Sequence, residues 1–384
     1  MEFQLSEEQM MIRQAARDFA VNECLPGVIE RDEQQKFPKE QIMKLADLGF
    51  MGMMVDAKYG GAGMDTVSYV LAMEEISKID ASVSVCMSVN NSLVCWGLNT
   101  FGTEMQKQTY LTPLAQGKKD GNLYIGAFLL SEPEAGSDAT SQRTTAEDKG
   151  DHYLLNGTKN WITNGNSASV YLVMAQTDPA KKSKGINTFI VEKDWPGVTV
   201  GGKENKLGIR GSDTHSIILT DVRVPKGNRV GEDGFGFSFA MRTLAGGRIG
   251  IASQALGIAS GAYELSRKYA KERKAFGKEI MHHQVIQFKL ADMATRIESA
   301  RLLCLKAAWE KDNGLDYALS SSMAKVFASE TAMWATVEAV QIHGGYGYVK
   351  EYHVERLMRD AKITQIYEGT SEVQRMVISR AILR

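Results

Sequence analysis

The chain has 384 residues, more than one ordinary domain, and its hydrophobic fraction of 43% and charged fraction of 24% are typical of globular proteins. Its 45 basic residues nearly cancel its 46 acidic residues, so no overall field attracts nucleic acid or an anionic membrane surface. The composition therefore predicts a protein of two or three domains and excludes binding of nucleic acid through net charge.

The N-terminal segment MEFQLSEEQMMIRQ shows neither the apolar stretch of a secretory signal nor the arginine-rich, acid-poor character of a transit peptide. We expect no run of membrane-spanning length in the rest of the chain. The expectation is a bacterial cytoplasmic protein without membrane insertion, with a processed mitochondrial matrix form as the alternative.

Cysteine and histidine spacing gives no sign of a metal site. The four cysteines lie far apart without a CxxC pair, which fits free thiols in a reducing compartment, and the six histidines include no HExxH motif. We therefore predict no bound metal.

The first third of the chain has the spacing of helices. Ser6 and Gln9 match a capping box, and apolar residues follow at helical spacing from Ile12 to Phe19. The same pattern returns over Val67 to Ile79, after a glycine-rich break. No strand-like run is expected here, so residues 1–124 are predicted to form a helical N-terminal domain.

The middle of the chain changes to short β-branched and aromatic runs separated by turn residues. These runs are Tyr171–Met174, Thr188–Val191, Val198–Val200 and Ser216–Leu219. Asn156-Gly157 lies between two further runs and predicts a hairpin. Residues 125–228 are therefore predicted to form a β-barrel-like domain.

Helical spacing returns in residues 229–384, where one apolar stripe steps by four and three residues. Its members are Ile286, Leu290, Met293, Ile297, Ala300 and Cys304. Long helices with short loops predict a C-terminal four-helix bundle. The fold class is α+β, built from a helical, a β and a second helical domain.

Common nucleotide and hydrolase motifs are absent from the sequence. Gly197 to Lys203 approaches a phosphate loop, but Glu204 replaces the Ser or Thr that would bind magnesium. No GxGxxG follows a strand and opens a helix, and no GxSxG elbow is present. A dinucleotide, if bound, requires another kind of site.

Five segments stand out together, in the order in which they occur here. They are Leu130-Ser-Glu-Pro-Glu-Ala-Gly-Ser-Asp138, Trp161-Ile-Thr163, Arg273-Lys-Ala-Phe-Gly277, Gln341-Ile-His-Gly-Gly-Tyr-Gly347 and Arg359-Asp-Ala-Lys-Ile-Thr-Gln-Ile-Tyr-Glu-Gly-Thr-Ser-Glu-Val-Gln-Arg375. In this order and spacing they resemble the acyl-CoA dehydrogenase family, most of all its short-chain, butyryl-CoA branch. The resemblance runs nearly from end to end and implies FAD as the cofactor.

The resemblance assigns one group of residues to the ADP half of FAD, partly across a subunit interface. This group comprises Arg273, Gln341, Gly344 and Gly345, with Phe276 and Gln284 as further cofactor contacts and with Thr370 and Glu372 similarly placed. Glycines permit close backbone approach and an arginine supplies charge to a pyrophosphate. In the alternative reading the glycines form only a helix C-cap and a turn.

A second group is assigned by resemblance to the flavin ring. Trp161 and Thr163 would lie against the isoalloxazine, with Leu130 and Ser131 on its pyrimidine side. An aromatic wall and a hydroxyl group suit a ring that needs apolar cover and one hydrogen bond near N5. The alternative for a strand tryptophan is an ordinary core position.

Substrate contacts also follow from the resemblance. Ser137 and Arg248 match positions for CoA, and Gln254 and Thr364 match positions near the acyl tail of the short-chain branch. Gly369, beside the catalytic position, completes the predicted substrate site. Two residues depart from the family pattern. These are Ala245, where relatives usually have aspartate near CoA, and His353, where they often have proline.

Glu368 is the predicted catalytic base. Removing a proton α to a thioester needs a carboxylate shielded from water, because desolvation raises its affinity for protons. In the family, the backbone N–H of the base and the ribityl 2′-hydroxyl of the flavin bind the thioester oxygen. A glutamate beside glycine is otherwise a solvated turn residue. One family branch carries its base on the Leu-x-x-x-Arg segment, but here Leu244 to Arg248 contains no carboxylate.

These residues predict an FAD-dependent oxidation of butyryl-CoA to crotonyl-CoA, or its reverse. The resemblance further implies electron exchange with electron-transfer flavoprotein and a homotetramer built as a dimer of dimers. Three alternatives remain open: a branched-chain or aromatic acyl-CoA dehydrogenase, an acyl-CoA oxidase, and a non-catalytic helical scaffold.

Overall fold

The computed structural model describes residues 4–383 and begins with a helical region. The helices are α1 (Glu7–Phe19), α2 (Val28–Glu33), α3 (Lys39–Asp47), α4 (Thr66–Ser77), α5 (Ala81–Ser88), α6 (Trp96–Phe101), α7 (Glu104–Gln106) and α8 (Thr112–Gln116). The predicted capping box is confirmed, because the Ser6 side chain accepts from the Gln9 backbone N–H and the Gln9 side chain accepts from that of Ser6. This satisfies two N–H groups that the first turn of α1 leaves free.

One apolar helical run crosses the centre of this region. Ala81–Phe101 consists of α5, a π-helical segment (Val89–Cys95) and α6. It is long and apolar enough to cross a membrane, so the expectation that no run reaches that length is wrong. The structure packs 94% of its most apolar window inside the protein, so its apolar surface serves the core.

The middle region is one mixed sheet of eight strands. The strands are β3 (Gly126–Leu129), β4 (Thr145–Asp148), β5 (His152–Thr163), β6 (Val170–Gln176), β7 (Ile186–Glu192), β8 (Val198–Lys203), β9 (Thr214–Pro225) and β10 (Arg229–Val230). Their order is β10-β7-β6-β4-β5-β9-β8, with β3 parallel to β6. A short hairpin of β1 (Lys118–Lys119) and β2 (Asn122–Leu123) precedes it, so the expectation of a strand-free first third is wrong at its end.

The predicted hairpin at Asn156-Gly157 is also wrong. Strand β5 runs through both residues, and its pairing with β9 shifts register between Leu155 and Gly157. Asn156 exchanges two hydrogen bonds with Asp221 on β9, and a Cβ on Gly157 would lie 2.7 Å from Cα of Thr144. Glycine is therefore present here for a bulge and a close backbone approach rather than a turn.

The C-terminal region is helical. Its helices are α9 (Gly236–Glu272), α10 (Gln284–Asp312), α11 (Ala318–His343), α12 (His353–Ile363) and α13 (Ser371–Ile382), with a hairpin of β11 (Lys274–Ala275) and β12 (Lys278–Glu279) between α9 and α10. Helix α11 packs against α9, α10, α12 and α13. The predicted stripe on α10 is confirmed for Met293, Ile297, Ala300 and Cys304, which are buried. Its first two members, Ile286 and Leu290, are half-buried.

Several polar contacts join the three regions, and two of them involve aspartates of the C-terminal helices. Asp312, at the end of α10, accepts from the backbone N–H groups of Thr66 and Val67 at 2.8 and 3.1 Å and so caps the N-terminus of α4. Asp360 on α12 accepts from the backbone N–H of Ile209, between β8 and β9. These contacts fix the bundle against both the N-terminal helices and the sheet.

Candidate active site

Glu368 lies in a turn between α12 and α13 that has unusual backbone geometry. Its φ is 53°, and the following residue, Gly369, has a φ of 99°. Two successive residues in this region are costly unless neighbouring groups hold them. Within the described residues, the backbone N–H groups of Glu368 and Gly369 donate to no protein acceptor. The turn therefore presents a carboxylate and free N–H groups together.

The Glu368 carboxylate points at helix α9, where Gly247 makes room for it. An ideal Cβ on Gly247 would overlap Oε2 of Glu368, and it would lie 3.1 Å from Cδ of Glu368 and 2.7 Å from Cδ2 of Leu93. Oε2 is buried and has no hydrogen-bond partner among the described residues. An unpaired buried oxygen is costly, which is the condition expected of a group that awaits a proton or a ligand.

The surroundings raise the proton affinity of this carboxylate. Burial raises the pKa of Glu368 to about 7, and the positive charges of Lys325 and Arg248 oppose that rise. Arg248 is itself only 7% exposed and donates to Ser322 Oγ at 3.2 Å. Glu368 therefore titrates near neutral pH, where a general base is most effective.

Two buried side chains hold the carbonyl groups of the turn. Nζ of Lys325 donates to the Gly369 oxygen at 2.7 Å. Nε2 of Gln374 donates to the Glu368 and Gly369 oxygens at 3.2 and 3.0 Å. Sequence reasoning missed both residues. The available signal was the spacing of Lys325 with buried Ser321 and Ala328, which places a lysine on the buried stripe of α11.

The predicted acyl-tail residues lie beside the turn, and their polar groups are already satisfied. Gln254 is fully buried on α9, donates to the Ala81 oxygen at 2.9 Å and accepts from the Tyr367 hydroxyl. Thr364 is buried and donates to the Ala361 oxygen at 2.7 Å. Both residues therefore brace the wall of the site instead of offering free polar groups.

The remaining predicted residues near the turn are at its C-terminal end or on its open side. Thr370 is the N-cap of α13 and accepts from the Val373 N–H at 3.3 Å, while Glu372 is exposed in the first turn of that helix. Ser137 is exposed in the loop between β3 and β4. None of these three contacts Glu368 directly.

The residues predicted to contact the flavin ring lie on or beside the sheet. Trp161 is 60% exposed with a φ of 61°, at a register shift in β5, so the alternative of an ordinary core tryptophan is wrong. Thr163 follows on the same strand and is half-buried. Ser131 pairs with β5 through its oxygen, which accepts from the Asn160 N–H at 2.9 Å. Strand β5 therefore carries an exposed indole at Trp161 and, two residues on, the half-buried Thr163.

A fully buried lysine fixes the loop that carries Leu130 and Ser131. Nζ of Lys159 donates to the Leu130 oxygen at 3.2 Å and pairs with Glu132 at 2.8 Å. Burial lowers the pKa of Lys159 to about 8, and its pairing with Glu132 opposes the change. The loop is thus held by a buried ion pair, a feature that the sequence motifs did not indicate.

The predicted ADP group lies at the other end of the bundle. Arg273, Gly344 and Gly345 line a cleft of about 540 Å³ together with Tyr269 and His343. Arg273 lies over the Tyr346 ring at 5.4 Å. Three further predicted residues surround this end of the bundle: Phe276, which is 96% exposed, and the exposed Gln284 and Gln341.

The cleft at Arg273 and the turn that carries Glu368 are therefore separate within one chain. Lys325, which contacts the base turn, and His343, which lines the cleft, are both on α11. Their separation of 18 positions corresponds to about 27 Å along the helix axis. Sequence reasoning grouped the predicted residues by motif, and the structure places them in three groups: at the Glu368 turn, on and beside β5, and at the Arg273 cleft.

The Arg273 cleft fits the phosphate-bearing part of a flavin nucleotide. No atom lies within 4 Å of a Cβ built on Gly344 or Gly345, and Gly344 has a φ of 59°, so the backbone is open to close approach. Arg273 forms no ion pair among residues 4–383 and is free to bind a phosphate. In the same part of the chain, no cluster of His, Cys, Asp or Glu could hold a metal ion.

Three family models match the chain in succession. The N-terminal domain of acyl-CoA dehydrogenase matches residues 6–118, its middle domain residues 127–222 and its C-terminal domain residues 234–383.

Individual relatives agree with these matches over the full chain. The short-chain specific acyl-CoA dehydrogenase of Clostridium acetobutylicum is 50% identical over 384 residues, which cover 100% of both chains. The structure of butyryl-CoA dehydrogenase from Megasphaera elsdenii superposes with a TM-score of 0.97 at 48% identity, again over 100% of both chains. A chain in the structure of the electron transferring flavoprotein of Acidaminococcus fermentans gives 0.98 at 50% identity and the same coverage. The protein belongs to the acyl-CoA dehydrogenase family, and its cofactor is FAD.

Proposed function

We propose that the protein interconverts butyryl-CoA and crotonyl-CoA, with Glu368 as the base that takes the α-proton. FAD, when bound, supplies the acceptor for the hydride that leaves the β-carbon. The observation that supports this assignment best is the Glu368 carboxylate, whose buried Oε2 faces Gly247 and has no hydrogen-bond partner within residues 4–383. Such an oxygen is free to accept a proton from a substrate carbon.

The charge state of Glu368 suits this role. With a pKa raised to about 7, a substantial fraction of the carboxylate is ionised at neutral pH, and its proton affinity still exceeds that of an ordinary glutamate. A base matched to the working pH contributes about 10²–10⁴-fold to the rate. The scaffold alternative gives no reason for an unpaired carboxylate held this way.

The backbone of the turn supplies the second part of the proposed chemistry. Removal of the α-proton places negative charge on the thioester oxygen, which hydrogen-bond donors stabilise. The free N–H of Glu368 stands beside its own carboxylate in a turn that Lys325 and Gln374 hold. Glu368 therefore serves through its side chain and its main chain.

The preference for a short acyl chain is inferred from the buried residues that form the wall of the site behind Glu368. Gln254 links α9 to Ala81 on α5 and accepts from Tyr367, so three segments are tied together by one buried side chain. Moving this wall to lengthen the site would leave buried polar groups without partners, which costs about 1–3 kcal/mol for each group. We therefore favour a four-carbon substrate over longer or branched ones.

Assembly and electron exchange complete the proposal. Because the ADP group lies about 27 Å along α11 from the base turn, two copies of the chain together form each FAD site, in keeping with the predicted homotetramer. The relative in the structure of an electron transferring flavoprotein supports a flavoprotein of that kind as the redox partner.

The test is anaerobic mixing of the purified holoenzyme with acyl-CoAs of graded length and branching, followed by flavin absorbance. We expect butyryl-CoA to bleach the oxidised flavin fastest. Faster bleaching by branched or longer thioesters would contradict the short-chain assignment, and bleaching by none of them would contradict the proposed activity. Rapid reoxidation of the reduced flavin by oxygen alone would favour the alternative of an acyl-CoA oxidase.

A further inference from the structure

Lys325 is a buried lysine in the middle of helix α11 that forms no ion pair among the described residues. Its side chain is fully buried, and burial lowers its pKa to about 8. The residue makes one hydrogen bond, from Nζ to the backbone oxygen of Gly369 at 2.7 Å. An isolated buried ammonium group is costly, so its presence at this point calls for a functional reason.

The contact reaches the turn that carries the base. Glu368 and Gly369 both have positive φ values, and a Cβ on Gly369 would overlap Nε2 of Gln374. Lys325 and Gln374 approach the Gly369 oxygen with hydrogen bonds of 2.7 and 3.0 Å. The orientation of this peptide group fixes where the Glu368 carboxylate and N–H point.

We propose that Lys325 is a positioning residue for the base, because its buried ammonium group holds the Gly369 carbonyl and adds a positive charge behind the Glu368 turn. The inference rests on the proposed function of Glu368 and adds a residue that acts on that base without touching substrate. It predicts that the charge of Lys325, in addition to its packing, sets the working pH of the enzyme.

The charged and titratable groups around the turn come from several elements. Arg248 faces it from α9, Glu372 from the start of α13 and Tyr69 from α4, while Tyr367 precedes the base in the chain. Among the charges that oppose the effect of burial on Glu368, Lys325 acts most strongly, ahead of Arg248. Removing the positive charge of Lys325 therefore raises the pKa of Glu368 further.

The experiment is Lys325→Met in the holoenzyme, with flavin reduction by butyryl-CoA measured anaerobically from pH 5.5 to about 9.5. Glu368 must be ionised to act, so the rate rises with pH through its pKa. We expect the rising limb of the pH–rate profile to move up by about one pH unit, which lowers the rate at pH 7 about fivefold. Lys325→Arg, which keeps the charge, should leave the rising limb of the pH–rate profile near its wild-type pH.

Lys206→Met is the matched control. Lys206 also donates to a backbone oxygen, that of Ser212 at 2.8 Å, and burial also lowers its pKa to about 8, but it contacts no residue of the base turn. We expect this variant to lower the unfolding temperature without moving the pH limb. Flavin content and unfolding temperature are measured for every variant, so that loss of cofactor or fold is separated from loss of rate.

If the rising limb of the pH–rate profile does not move in Lys325→Met, the inference is overturned, because Lys325 would then have a packing role only. An equal shift in Lys325→Arg would overturn it as well. If Lys325→Met does not fold, Lys325→Gln, which keeps N–H donors without the charge, is measured in its place against the same two outcomes. Failure of the wild-type enzyme to be reduced by any thioester would instead contradict the proposed function itself.

Discussion

A Cβ atom on Gly247 would overlap Oε2 of Glu368, so this carboxylate occupies space that any side chain at position 247 would fill. Gly247 is on α9, and Glu368 lies far along the chain in the turn between α12 and α13. The family branch with its base on the Leu-x-x-x-Arg segment places a carboxylate on this same helix. In this protein the carboxylate comes from the turn, and Gly247 leaves room for it.

Gly247→Ala should therefore displace the base. The methyl group cannot fit between Oε2 of Glu368 and Cδ2 of Leu93, so the turn has to shift, and a misplaced base loses about 10²-fold in rate. The measurement is flavin reduction by butyryl-CoA in the purified holoenzyme.

Gly246→Ala is the control for Gly247→Ala. Its Cβ would lie 3.7 Å from Nζ of Lys311 and 3.8 Å from the Tyr317 hydroxyl oxygen, which is ordinary contact. Both substitutions gain about 1 kcal/mol of helix propensity. Equal rates in the two variants would show that Gly247 is not needed to seat Glu368.

Glu368→Gln should keep yellow flavin and thioester binding while losing flavin reduction. Glutamine has nearly the same size, so the space beside Gly247 stays filled, but it cannot accept the α-proton. Reduction by butyryl-CoA, followed anaerobically, should fall by about 10³-fold or more. Near wild-type reduction in this variant would remove Glu368 from its assigned role.

The sequence predicted the order of the three regions, because helical spacing is a local property of the chain. The spacing on α10 is an example, since Met293 and Ile297 are buried as expected. The assignment of the base to Glu368 rests on an equally local segment and stays a prediction. The errors come from tertiary context. Asn156-Gly157 has the composition of a turn, but pairing with Asp221 on β9 makes it a bulge in a long strand.

The residues that hold the Glu368 turn could not be predicted from local sequence patterns, because their contacts also depend on tertiary structure. Gly247 and Lys325 contact the base turn only after helices α9 and α11 have packed against each other. The sequence separations of Gly247 and Lys325 from Glu368 follow no helical or strand repeat that would predict these contacts. Arg273 was assigned to the ADP half of FAD, which stays a prediction. The structure places it at a cleft, and its distance from Glu368 became clear only from the length of α11.

The raised pKa of Glu368 also predicts a cost in stability. Because the folded state binds its proton more tightly than the unfolded chain does, the free energy of unfolding falls as pH rises from about 4.5 to about 7. Glu368→Gln removes this cost, so at pH 8 it should be more stable than wild type by about 3 kcal/mol. Below pH 4.5 the difference should vanish.

Denaturant unfolding at pH 4.5 and pH 8, with equal FAD in both samples, measures this effect. A variant that is less stable than wild type at pH 8 would show that the ionised carboxylate is stabilised by its neighbours more than burial penalises it. The comparison thereby also reports how far Lys325 and Arg248 offset the burial of Glu368.

Arg273→Ala should weaken FAD retention without disturbing the base. The guanidinium group lies at a cleft lined by Gly344 and Gly345, about 27 Å along α11 from the Glu368 turn, and it is free to pair with a pyrophosphate. Loss of one such charge-assisted contact costs about 1.5–3 kcal/mol, or about 10- to 100-fold in affinity.

Arg267→Ala is the control, because Arg267 also lies over an aromatic ring, Tyr263 at 5.9 Å, but does not line the cleft. FAD affinity is measured by titration of the apoprotein. Unchanged affinity in Arg273→Ala, or an equal loss in Arg267→Ala, would contradict the assignment of this cleft to the ADP half of FAD.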